Sequence, residues 1–198
     1  MGKSPDRLTI DELVELIDEP NRSACKRLLV DNRTLFEKAR GSTHNHQTWD
    51  GGYIDHITDG MNFGLHFYPF MVSFGRPLPF SLSDALLVFF LHDLEKPWRI
   101  RDLPSGEVTN REGLATKEEF KQFREAKLVE YGFTLTPAQM NGLTYVEGEY
   151  KDYSSLYRVM NELAAFCHAI DNLSARLWDD YPKAQGDEWA GAGRLRMT

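Results

Sequence analysis

Seven consecutive apolar residues, Ala85 to Leu91, lead directly into His92 and Asp93, with Lys96 following three positions later. A bilayer-spanning helix needs roughly 20 apolar residues, so this run is too short to cross a membrane and must be covered by protein. Read as a helix it is apolar on every face, which demands neighbours on all sides. Ser81 or Ser83 supplies an N-cap, and Pro97 marks the stop, because proline lacks the amide hydrogen and clashes with the preceding turn.

The rest of the chain offers helices to do the covering. Thr9 to Glu12 is a capping-box pattern that opens a short helix carrying Ile10, Leu13, Val14 and Ile17 on one face. Asn21 is the expected N-cap of a second helix running toward Arg40. After Gly51-Gly52, Tyr53, Ile54, Ile57, Met61, Leu65 and Tyr68 recur at helical spacing. A charged helix is expected over about 117–131, a short one from Thr136-Pro137, and a long one from Ser154 to Asp180. Arg101 to Gly113 reads as a surface loop, and no segment reads as a convincing strand. The expected fold is all-α: a single helical domain over 1–185, followed by a loosely held tail over 186–198.

Composition narrows the function. The 198 residues carry a net charge of −7. A nucleic-acid backbone is therefore not the expected partner, since counterion-release binding needs a basic surface; a small phosphorylated ligand remains compatible. Two cysteines, Cys25 and Cys167, support neither a disulfide framework nor a cysteine zinc site. With no apolar leader at the N-terminus, a cytoplasmic protein without membrane attachment is expected.

The chemistry concentrates at His92-Asp93. A buried carboxylate beside an imidazole needs partners, and a divalent cation would be one, because both groups ligate first-row metals. An isolated His-Asp dipeptide is more often a hydrogen-bonded core pair. Three features shift that balance. Lys96 follows at helical spacing, from which its ammonium would reach an anion at the metal. His56 stands just after the glycine pair, whose missing side chains permit close backbone approach. Asp171, between Ile170 and Leu173, sits within the apolar pattern of the last helix.

The three motifs GGYIDH, LHDLEKP and AIDNLSA, in this order, resemble the HD-domain superfamily of metal-dependent phosphohydrolases. The resemblance extends over most of the chain, from about His44 to Leu177. It implies a helical bundle and a divalent metal (Mn, Mg, Fe, Co, Ni or Zn) held by His56, His92, Asp93 and Asp171. It also implies cleavage of a phosphoester or phosphoanhydride in a nucleotide or related small phosphorylated compound. Lys96 is similar to the lysine of the family's HDxxK extension, which assists at the phosphate. The approach from His46 to Gly52 is similar to that of several bacterial members. Members with two metals carry further histidines between the HD pair and the last aspartate. None occurs here between Asp93 and Cys167, so one ion is expected.

His46 and Glu147 are the candidate groups to position or deprotonate water, and Arg99 and Arg101 the candidates to hold a substrate phosphate. His44 and His66 are expected outside the site. His168 fits a satisfied core histidine, and Trp49, Trp98 and Trp178 fit packing. Two other readings stay open on the sequence: a di-iron oxygenase of the same fold, and a non-catalytic module that binds a nucleotide or a protein.

Overall fold

Ala85 to Leu91 form the heart of the most deeply buried helix, and every one of these residues is buried. The computed structural model describes residues 7–43, 45–75, 77–102 and 108–177. Within them the elements run α1 (Ile10–Val14), α2 (Asn21–Phe36), α3 (Gly52–Ser73), α4 (Leu82–Leu91) and α5 (Lys96–Arg99). A two-stranded hairpin follows, β1 (Ile100–Asp102) and β2 (Val108–Asn110), then α6 (Lys117–Tyr131), α7 (Pro137–Tyr145) and α8 (Glu162–Leu177). The architecture is all-α, with the hairpin as its one sheet among the described residues. None of the described helices is long and apolar enough to cross a membrane. The expected tail, the end of the expected domain, His44 and Trp178 lie outside the described residues.

Side-chain caps set most of the helix starts. Thr9, Ser81, Thr116 and Thr136 each accept the N3 amide of the helix they precede, while the N3 side chain reaches back to the cap amide. Ser83 serves elsewhere, its Oγ accepting the Asp18 amide at 2.7 Å. Asn21 is the first residue of α2 rather than its cap. Its side-chain amide exchanges two hydrogen bonds with the Thr134 backbone, at 2.8 and 2.9 Å, fastening α2 to the segment before α7.

Helices α3, α4 and α8 pack together, with α7 against α4 and α8, and with α1 on α3. Small residues set the closest approach. A Cβ at Gly60 would lie 2.0 Å from the Phe89 ring, so α3 rests directly on the aromatic side chain of α4. Gly64 faces Ile170 while His56, two turns earlier, faces Ser174, so α8 runs antiparallel to α3. The first half of α3, the end of α4 and the second half of α8 therefore meet in one region.

Three further expectations are corrected. The last helix begins at Glu162, not Ser154. Asn161 Oδ1 accepts the Ala164 amide at 2.8 Å and starts the helix there. The segment before it has little core to face, Leu156 being 90% exposed and Val159 and Met160 only partly buried. The expected loop from Arg101 contains the hairpin, whose register pairs Ile100 with Asn110 and Arg101 with Thr109. Finally, α4 stops at Leu91, and Pro97 lies at the start of α5, where its missing amide hydrogen costs nothing.

Candidate metal centre

The turn between α4 and α5 determines what His92 and Asp93 can do. Adjacent residues on a continuous helix do not face each other. Here the chain leaves the helix through tight turns, with Leu94 N donating to Leu91 O and Lys96 N to Asp93 O. Both side chains reach one point, His92 Nε2 lying 3.1 Å from Asp93 Oδ2. The carbonyl left open at this helix end, that of His92, accepts Arg124 Nη1 of α6 at 2.8 Å.

Two further donors arrive from other helices. His56 Nε2 of α3 is 3.3 Å from His92 Nε2 and 3.5 Å from Asp93 Oδ2. Asp171 Oδ1 of α8 is 3.2 Å from His56 Nε2 and 3.5 Å from His92 Nε2. Donors about 2.0–2.2 Å from a common ion stand roughly 2.8–3.6 Å apart, from right-angle to tetrahedral edges, and the separations among His56, His92 and Asp93 fall in that range, as do those of Asp171 Oδ1 from the two imidazoles. His56, His92 and Asp93 form a buried group that can hold a metal ion. Asp171 is the most accessible of the four, its side chain 19% exposed, so the centre opens on its side.

The outer partners aim the imidazoles. His92 Nδ1 lies 2.6 Å from the Phe89 carbonyl, which can only accept; Nδ1 carries the proton, and in the neutral ring Nε2 presents a lone pair. His56 Nδ1 lies 2.9 Å from Ser174 Oγ, whose own hydrogen goes to the His56 carbonyl at 3.1 Å. The same logic leaves His56 Nε2 as an acceptor. Two nitrogen lone pairs and the Asp93 oxygen thus converge, with Asp171 Oδ1 beside the imidazoles, a set that suits a borderline divalent cation.

Electrostatics describe the same need. Burial holds Asp93 and Asp171 against ionisation, but the neighbouring imidazoles, with Lys96 at Asp93, outweigh it and keep both well below the usual carboxylate range. Burial lowers the His92 pKa, yet the Asp93 and Asp171 charges prevail and raise it to about 10. His56 goes the other way, lowered mainly by burial. Lys96 balances Asp93, and for Asp171 a cation would supply the positive charge that a proton on His92 otherwise provides.

The remaining candidates fall into distinct places. Lys96 is buried and ion-paired with Asp93 Oδ2, so its ammonium adjoins a donor carboxylate, where helical spacing placed it at a substrate anion. The His46 ring lies 4.8 Å from the His56 ring, centroid to centroid, and burial lowers its pKa to about 3. Glu147 lies on the rim of a neighbouring cavity of about 480 Å³, its Oε2 3.9 Å from Lys117 Nζ. That cavity, between α6, α7 and the 147–152 segment, shares His92 and Glu95 with the centre's surroundings but not His56, Asp93 or Asp171. Arg99 pairs with Glu95 and covers the Phe120 ring at 4.4 Å, so packing engages its guanidinium; Arg101 is exposed on β1.

His66 is exposed. His168 is half-buried, with Nδ1 2.7 Å from the Val146 carbonyl, which it satisfies. Sequence reasoning missed Gln47, Ser174 and Arg124. A serine one helical turn after Asp171 is the only trace of them in the pattern.

No family model matches the chain, and comparison with curated proteins and with solved structures gives no match either.

Proposed function

We propose that this chain is a metal-dependent phosphohydrolase of the HD type, cleaving a phosphoester or phosphoanhydride bond in a nucleotide or related small phosphorylated compound. One observation carries the reading. The donor atoms of His56, His92 and Asp93 lie 3.1–3.5 Å apart, Asp171 Oδ1 lies 3.2 and 3.5 Å from the two imidazole nitrogens, and both imidazoles are turned so that Nε2 faces inward. A single divalent ion held by His56, His92, Asp93 and Asp171 would supply Lewis acidity toward a phosphoryl group and make water nucleophilic near neutral pH.

The protein's own groups divide the remaining work. Asp171, the donor nearest solvent, marks the side from which a phosphate approaches. Lys96, held by Asp93, places a fixed positive charge beside the donors, where it would stabilise charge developing on the phosphoryl oxygens. His46 stays neutral at physiological pH and serves as a hydrogen-bond acceptor that orients water. Glu147 and the cavity it borders lie beyond the donors and would contact the rest of the substrate.

The test is metal analysis of purified protein, followed by a phosphate-release screen over nucleotides and phosphorylated metabolites with Mn²⁺, Mg²⁺, Co²⁺ and Ni²⁺. Turnover that requires one ion per chain and disappears in Asp171→Ala is the expected result. Two tightly held irons with oxygen consumption would replace hydrolysis with oxidation. Ligand binding without turnover under any metal would leave a binding module.

A further inference from the structure

One buried side chain that belongs to none of the four donors has both ends of its amide directed at groups beside them. Gln47 has no solvent exposure, and its backbone is left-handed, with φ +41°. The surrounding loop enforces that conformation. Its carbonyl accepts the Gly41 amide at 2.8 Å and lies where a Cβ on Gly52 would fall, at 1.8 Å, so the second glycine of the pair is required by this contact.

The side-chain amide can be oriented from its partners. One end lies 2.9 Å from the Ser174 carbonyl, which only accepts, so that end is the nitrogen. The other end, the oxygen, is then 2.6 Å from His46 Nδ1, which must carry the proton. Nε2 of His46 is left as the acceptor, in a ring 4.8 Å from that of His56. Ser174, whose carbonyl Gln47 holds, is the residue whose hydroxyl sets the His56 tautomer.

We propose that Gln47 is a positioning residue. It fixes His46 as the Nδ1–H tautomer and presents His46 Nε2, as an acceptor, to an O–H donor beside the centre, either a water or a substrate hydroxyl. Only the use of that acceptor in catalysis rests on the phosphohydrolase reading; the tautomer does not.

The experiment is long-range ¹H–¹⁵N correlation on the full chain with ¹⁵N-labelled histidine, without and with Mg²⁺. In the wild type, His46 is expected to show a protonated Nδ1 and a bare Nε2. In Gln47→Leu it should shift toward Nε2–H, while His56 and His92 keep their Nδ1 protons on Ser174 and Phe89. Gln47→Glu retains an acceptor toward Nδ1 and should keep that nitrogen protonated, while losing the donor to the Ser174 carbonyl. On the best substrate of the phosphate-release screen, Gln47→Leu should lower kcat roughly tenfold to a hundredfold with KM nearly unchanged.

An Nε2–H tautomer of His46 in the wild type, or an unchanged pattern in Gln47→Leu, overturns the proposal. If Gln47→Leu fails to fold, the wild-type tautomer together with Gln47→Glu decides it. A wild type that shows the expected tautomer but releases phosphate from nothing would remove the phosphohydrolase reading and leave this assignment intact.

Discussion

The Ser174 hydroxyl lies 2.9 Å from His56 Nδ1 and 3.1 Å from the His56 carbonyl, so one side chain of α8 clamps both the ring and the backbone of a donor on α3. Such outer partners typically govern metal affinity by tenfold to a hundredfold. Ser174→Ala should therefore weaken Mn²⁺ binding by roughly that factor, with a loss of about 1–3 kcal/mol in stability from the unpaired His56 Nδ1–H. Isothermal titration calorimetry beside thermal unfolding separates the two effects. Unchanged affinity in a folded variant would remove the orienting role.

Lys96 makes opposite predictions for binding and for turnover. Its charge already neutralises Asp93, so it competes with a cation for the same carboxylate. Lys96→Met should leave divalent-ion affinity equal or tighter. The metal-free protein should lose about 3 kcal/mol, since a buried carboxylate loses its ion-pair partner. Turnover should fall about a hundredfold to a thousandfold if the ammonium stabilises the transition state. A variant with full turnover would reduce Lys96 to a structural counter-charge.

Asp59 introduces a pH dependence away from the centre. Burial raises its pKa to about 6, although Arg7 pairs with it and pulls the other way. The folded state therefore holds this proton more tightly than the unfolded chain, whose aspartate titrates near 3.9. The contribution to stability is full below about pH 4 and is lost as pH rises through about 6. Relative to Asp59→Asn, the wild type should lose roughly 3 kcal/mol between these limits, read from urea midpoints at pH 4 and pH 7. Parallel stability curves for the two proteins would contradict the shift.

Gly60 tests how closely α3 must approach α4. A Cβ would fall 2.0 Å from the Phe89 ring, and the Phe89 carbonyl is what orients His92. Gly60→Ala should cost about 1–3 kcal/mol through overpacking. It should also weaken metal binding although it touches no donor. A normal melting temperature with normal affinity would mean that the ring moves aside freely.

Local chemistry made much of this fold legible. The capping boxes at Thr9, Thr116 and Thr136 act over three residues, so the helices they start are visible in the chain itself. The apolar run Ala85 to Leu91 determines a buried helix in the same way, because no other environment tolerates it. The residues that converge at the centre were readable only as a likeness, because spacing carries no information about distances between separate helices. Tertiary packing decided the rest. It put Arg99 on Phe120 and Glu147 on the rim of a cavity, each by contacts that sequence neighbours do not determine. It also moved the start of α8 to Glu162, where the Asn161 side-chain cap and the end of the core coincide. The roles of Gln47 and Ser174 could not be read from the chain, since each depends on a partner more than a hundred residues away that comes within reach only in the folded protein.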